Sequence, residues 1–347
     1  MNPSFDVLGI GLNATDTLLL LPEFPPYAGK VPFSEEILSP GGQVATAVVA
    51  CARLGLRTRY IGTIGDDLRG KIQWESLDGT GVDVSRVIVR ESCPNQTAYI
   101  LIDQRTGERT VLWQRASCLR LTPDDIREED IVSARLLHID GYDTEAAAKA
   151  ARIARAAGIP VSLDVDTVYP DFEPVLANLD YLVASSIWPG KWTGDTDPFV
   201  ALDRIQREYG MKVAAMTLGE YGAMALCEGK FVYSPAFHVH CADTTGAGDA
   251  FHGGFCFAML ADMPMREALD FSNAMAALNC TAIGARGHIA ARRQVNDLLA
   301  LAKAGKVTRH VDQEIADRCA AGKALTGKAK ARGGKVLARA AVSQQAD

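Results

Sequence analysis

Apolar positions in this chain recur at two periods, and the two textures alternate. Short runs that are continuously apolar or strictly alternating predict strands at 5–10, 31–39, 60–65, 87–89, 97–102, 109–113, 136–139, 161–165, 181–184, 213–218 and 237–241. Runs with apolar residues three and four apart predict helices at 45–54, 70–77, 145–157, 199–209, 250–261 and 268–282. Gly55 and Gly158 supply C-terminal stops for two of them. From about residue 136 strand and helix take turns, the pattern of a parallel sheet with helical crossovers. Such sheets gather ligands at the carboxyl ends of their strands. Asp16, Asp164, Thr217 and Asp249 all lie at or just after predicted strand ends, so the pattern puts them on one face.

The composition is that of a globular chain with a large core. Its 347 residues suit one large α/β domain or two ordinary ones. A net charge of −6 speaks against nucleic acid and anionic membranes as partners. Asp6 and Asn13 interrupt any apolar leader, and residues 18–21 are too short to span a bilayer. Eight cysteines without a Cys-x-x-Cys pair read as buried thiols in a reducing compartment, so a cytoplasmic protein is expected. Beyond residue 304 the composition shifts to Ala, Lys, Arg and Gly, strongly basic at 323–339. The expected division is a folded domain over 1–304 and a frayed or disordered tail over 305–347.

One stretch carries chemistry: Asp243-Thr244-Thr245-Gly246-Ala247-Gly248-Asp249-Ala250-Phe251. It stands where a strand turns into a helix, so small residues let the backbone approach a ligand. Free N–H groups at the helix start favour an anion there. Asp249 then places a carboxylate in the mouth of an anion site, which is electrostatically awkward unless the carboxylate is a base. A base beside a phosphate takes the proton of a hydroxyl that attacks a phosphoryl group.

This stretch resembles the C-terminal signature of the ribokinase-like (PfkB) carbohydrate kinases. The resemblance implies that Asp249 is the catalytic base and that the Gly246, Ala247, Gly248 turn is an anion hole. Gly41-Gly42-Gln43-Val44-Ala45-Thr46, leading to Ala52-Arg53-Leu54-Gly55, resembles the family's N-terminal signature. It implies that Asp16, Gly41, Gly42, Gln43 and Thr46 bind the sugar, with Thr46 where most members have an Asn. Thr offers one short hydroxyl in place of an amide, so a roomier pocket is expected, with Arg115 as a cation for an acidic sugar. Thr217-Leu218-Gly219-Glu220-Tyr221-Gly222 resembles the nucleotide loop, which implies nucleotide contacts from Thr217, Gly219, Gly222, Thr244 and Asn279. The implied cofactors are ATP and Mg²⁺, with K⁺ near Asp243, Thr245, Ala282 and Gly284. The implied fold is a three-layer α/β/α sandwich whose central sheet is mostly parallel. Strands from about 12–39 and 90–116 would form a small lid sheet that serves a homodimer.

Other motifs narrow the reading. Gly9-Ile10-Gly11-Leu12-Asn13-Ala14 loosely matches a dinucleotide fingerprint, but Pro22, Pro25 and Pro26 deny it the following helix. None of the Gly-Lys pairs continues into a Walker loop, and His238 and His240 read as packing or nucleotide contacts. The family's Asn-x-x-Glu is missing, with Ser185 and Trp188 in its place. Among branches, the sulfofructose kinases and ketohexokinases are most similar, the latter through Leu137-His138-Ile139-Asp140-Gly141. Trp113-Gln114-Arg115 and Gly141-Tyr142 stand where residues for a sulfonate would be sought. The alternatives are a nucleoside kinase, or a nucleotide- or sugar-binding protein of this fold that has lost catalysis.

Overall fold

A parallel sheet is built outward from the first strand, Phe5–Ile10, which pairs with Thr58–Ile61 on one side and Ala134–Ile139 on the other. The computed structural model describes residues 3–321. Val161–Val165, Tyr181–Ala184 and Val213–Thr217 extend the sheet in parallel. Two strands absent from the sequence reading, Ala223–Cys227 and Lys230–Ser234, close it as an antiparallel hairpin, giving eight strands. The short alternating run 223–234 is interrupted by Glu228-Gly229, a turn that two-residue hairpins favour.

Alternate residues of each strand feed opposite layers. Leu182, Ala214 and Met216 pack with Ala150, Leu202 and Ile205 of helices Thr144–Ala156 and Pro198–Tyr209. Val183, Val213 and Ala215 face Phe251 and Phe255 of helix Ala247–Leu260. Helices Gln43–Arg53 and Met265–Asn279 complete that second layer. The result is the expected three-layer α/β/α arrangement. Gly9 and Gly11, suggestive of a cofactor loop in sequence, have packing roles instead. A Cβ on Gly9 would lie 2.3 Å from Val48 Cγ1, and one on Gly11 would strike the Asp140 carboxyl.

The lid is a separate four-stranded sheet in the order Glu35–Gly41, Ala14–Leu21, Thr97–Asp103, Arg109–Gln114. The strand expected at 31–39 therefore begins four residues later, after the proline- and glycine-rich loop. Register aligns Ser39, Asp16, Ala98 and Trp113 on one face, and Leu38, Thr17, Tyr99 and Leu112 on the other. The first face is turned to the main domain, where Leu18 and Ile100 pack with Ile283.

Three expectations are corrected. The strand foreseen at 237–241 is only Ala236–Phe237: the His238 N–H still reaches the Thr308 carbonyl, but the chain then turns to the Cys280 carbonyl, which accepts from Ala242 N–H. The tail does not start at 305: Arg309–His310 pairs with Ala236–Phe237, and helix Gln313–Ala320 docks on the hairpin strand Lys230–Ser234. Ile315 is buried, Asp312 N–H donates to the Tyr233 hydroxyl, and Arg318 grips both oxygens of Asp197. The basic run at 323–339 lies outside the described residues. Finally, Cys93 and Cys118 form a disulfide, with Cα atoms 6.0 Å apart. They are 25 residues apart in sequence, a pairing made by the fold and carried by no spacing motif. With that bond, cysteine usage no longer argues for a reducing compartment. No helix among the described residues is long and apolar enough to cross a membrane.

Candidate active site

Gly246 caps helix Ala247–Leu260 with φ 74°, and a Cβ there would lie 2.4 Å from the Ala285 carbonyl oxygen. The turn is therefore glycine by both conformation and space. The Ala247 N–H donates to the Thr244 carbonyl at 3.2 Å, and that of Ala250 to Gly246. The Ala247 N–H is thus engaged within the turn, while those of Gly248 and Asp249 have no backbone partner among the described residues. They sit at the positive end of a 14-residue helix. Asp249 itself lies in the first turn of this helix. Burial holds its carboxyl well above the usual carboxylate range, and the negative charges of Asp164, Asp16 and Asp166 add to that, while Arg109 opposes.

The lid brings the second half of the site. Asp16 is buried, and burial pushes its carboxyl up to about 7 against the pull of Arg286. Its Oδ2 would lie 2.2 Å from a Cβ on Gly41, so that position has no room for a side chain. Gly42 starts helix Gln43–Arg53 with φ 92° and lies against Asn13. Gln43 is the first residue of that helix and is partly exposed at the cleft end. Thr46 is fully buried and accepts a bond from Arg286 Nε at 3.3 Å. The roomier pocket expected from Thr46 is thus filled by the Arg286 guanidinium. That group also donates to the Gly41 carbonyl, the Ser76 hydroxyl and Gln73 Oε1. Burial pulls the Arg286 pKa down to about 10, and the nearby Tyr60, Asp16 and Asp249 oppose the fall.

Arg109 also enters from the lid and donates from Nη1 to Thr244 Oγ1 at 2.8 Å, just ahead of the anion turn. Thr244 in turn donates to the Gly107 carbonyl, so the lid turn is tied to the loop that feeds the helix. Arg115 is not the free cation expected for an acidic sugar. Its two Nη groups meet both Asp143 oxygens at 3.2 and 2.8 Å, one also reaches the Leu119 carbonyl, and the guanidinium lies over the Tyr142 ring. Its side chain is only 8% exposed, which leaves it closed to a ligand.

The remaining predicted residues divide. Thr217 ends its strand at the cleft, and Gly219 and Gly222 hold the following turn at φ 58° and 97°. Asn279, expected at the nucleotide, is fully buried and donates to the Thr245 carbonyl, so it props the anion loop from below. Asp243 is also fully buried. One oxygen accepts from the N–H and hydroxyl of Thr245, the other from the N–H of Gly284. Asp243, Thr245 and Gly284 are thus brought together, with Ala282 in the same loop bonded to the Asn279 carbonyl. The buried Asn279 Oδ1 has no partner among the described residues.

No group of three or more His, Cys, Asp or Glu side chains among the described residues is set to hold a metal ion. Trp188, at the glutamate position of the missing Asn-x-x-Glu, is buried, stacked on Trp192 and bonded to the Thr167 carbonyl. These residues do not fit a protein-held Mg²⁺. Sequence reasoning missed Arg109 and Arg286. Arg109 follows a plain turn signal, and Arg286 stands alone between small residues, so neither belonged to a motif.

A glycine turn at a helix start, an acid in the first turn of that helix and a lid bearing a second buried acid are the arrangement expected of a phosphoryl-transferring enzyme of the sugar kinase class. The profile of the pfkB family of carbohydrate kinases matches residues 21–292. The chain is 31% identical to the ATP-dependent ribose-1-phosphate kinase of Halopiger xanaduensis, over 81% of this chain and 93% of that protein. It superposes with a TM-score of 0.80 on a provisional ribokinase from Agrobacterium tumefaciens at 28% identity, covering 86% of this chain and 99% of that one. Arabidopsis thaliana ribokinase, solved with ribose and ATP, gives a TM-score of 0.70 at 23% identity, with 86% and 99% covered. This chain belongs to the pfkB family of carbohydrate kinases.

Proposed function

We propose that the protein transfers the γ-phosphoryl group of ATP to a hydroxyl of a monosaccharide or sugar phosphate, with Asp249 as the base. What supports this is Asp249 in the first turn of its own helix, next to two N–H groups that lack a backbone partner among the described residues. The acceptor oxygen attacks the γ-phosphorus, its proton passes to Asp249, and the bond to the leaving ADP oxygen breaks. The N–H groups of Gly248 and Asp249 meet the charge on the phosphoryl oxygens, each such donor contributing on the order of 2.7–4 kcal/mol in a transition state. Arg109 is placed to join them by releasing Thr244. ATP is the donor, as in the ATP-dependent ribose-1-phosphate kinase relative, and Mg²⁺ would arrive on its phosphates.

Asp249→Asn keeps the size of the side chain and removes its basicity. Sugar-dependent ADP release is expected to fall at least about a hundredfold while ATP still binds. Turnover near that of the wild type would remove Asp249 from the mechanism.

A phosphorylated or sulfonated acceptor is the second reading, favoured by the ribose-1-phosphate kinase relative. An ADP-release screen across ribose, fructose, ribose 1-phosphate, adenosine and a sulfonated ketose separates it from the neutral sugars and from nucleosides. Two further assignments belong to this reading. The loop of Asp243, Thr245, Ala282 and Gly284, with the orphan Asn279 oxygen beneath it, would seat K⁺. The outer lid face, where Leu38, Tyr99 and Leu112 stand exposed in register, would pair with a second copy.

A further inference from the structure

We propose that Trp113 and Tyr142 form an aromatic wall on which the acceptor sugar lays its C–H face, which fixes acceptor specificity at the end remote from the transferred phosphoryl group. This rests on the kinase reading above and adds the recognition chemistry of the same site.

The lid register places the wall. Arg109, Val111 and Trp113 alternate on one strand, so they share a face, and Trp113 is in line with Ala98 and Asp16. Two interstrand spacings, about 10 Å, separate the backbone of Trp113 from that of Asp16, roughly the span of one sugar ring with its substituents. The strand therefore runs over the cleft as a ruler, with Arg109 at the anion turn and Trp113 at the far end. Trp113 is 58% exposed although its face is the one turned to the main domain. A large aromatic left bare on the inside of a cleft is a contact surface for a ligand.

The opposite side of the cleft answers it. Tyr142 follows the strand Ala134–Ile139 and meets Trp113 edge to face at 6.1 Å. Tyr169 backs Tyr142 at 5.6 Å. Arg115 covers the other part of the Tyr142 ring at 4.9 Å and is neutralised by Asp143. That guanidinium is thus a positioning residue for the wall. With its charge already matched, recognition at this end proceeds by stacking on the apolar side of a carbohydrate ring.

The test uses the full chain, with Trp113→Phe and Trp113→Leu, and D-ribose, D-fructose and ribose 1-phosphate as probes. Tryptophan emission of the wild type should shift on titration with the sugar that is turned over, and Trp113→Phe should lose that shift. Trp113→Phe should keep the acceptor KM within about twofold. Trp113→Leu should raise it about fivefold or more, with the KM for ATP unchanged in both. Equal KM effects of Phe and Leu, no effect of Leu, or no emission shift with any of the three sugars overturns the wall. A shift that Trp113→Phe abolishes, without ADP release from any sugar, supports the wall and defeats the kinase reading instead.

Discussion

Asp249 is a base held in a place that discourages its charged form. Burial and three neighbouring carboxyls raise its pKa, and only the ionised form accepts a proton. The acid limb of kcat/KM should therefore lie above the ordinary carboxylate range of about 4, with activity rising as pH rises through it. A pH–rate profile flat down to pH 5 would contradict that environment. Arg115 illustrates the opposite case, a charge whose work is structural. Arg115→Ala leaves the Asp143 carboxylate uncompensated, and breaking such a buried pair typically costs about 3–5 kcal/mol. The variant should melt lower and lose affinity for neutral and acidic acceptors alike. A selective loss for acidic sugars would restore Arg115 as an anion ligand. At this scale the sequence spoke clearly about Asp249, Asp16 and the glycines, whose types are dictated by backbone and chemistry. It said little about Arg109, Arg286 or the Thr46–Arg286 bond, because long side chains reach partners set by distant segments.

Elements were legible where one period dominated. The parallel strands 5–10, 161–165 and 181–184 stand where their apolar runs place them, since both faces are buried. The hairpin 223–234 and the helices Arg292–Lys303 and Gln313–Ala320 were not foreseen; those two helices are amphipathic, with charges on most of their surface. The last of these corrects the domain boundary and makes a prediction. A chain ended after residue 304 loses the Arg309 strand, the Ile315 contact and the Arg318 grip on the cap of helix Pro198–Tyr209. It should melt several degrees lower than a chain ended after residue 321, checked by thermal unfolding of both. Equal stability would make 305–321 a dispensable appendage.

For the whole molecule, the two faces of the lid have different surroundings. Its inner face reaches the anion loop through Arg109 and Thr244, while its outer face leaves Tyr99 and Leu112 in register and exposed. Exposed apolar residues gathered on one sheet face are the pattern of an interface. Leu112→Arg should convert the expected dimer to monomer in analytical ultracentrifugation. An unchanged mass, or a wild type that is already monomeric, would end that assignment. The three-layer fold and its family were readable from the order of strands, helices and glycine turns. The Cys93–Cys118 bond was not, because nothing local distinguishes those two cysteines from the other six.

Asp16, with its carboxyl poised at about 7, has a thermodynamic consequence of its own. Near neutrality its carboxyl is therefore partly protonated. Any phosphate that enters adds negative charge nearby and drives that proton inventory upward. Ligand binding then draws hydrogen ions from the solution, and the heat it releases carries the ionisation heat of whatever buffer supplied them. Calorimetric titrations in PIPES and in Tris at pH 7 would differ in apparent enthalpy, although the contacts formed are the same.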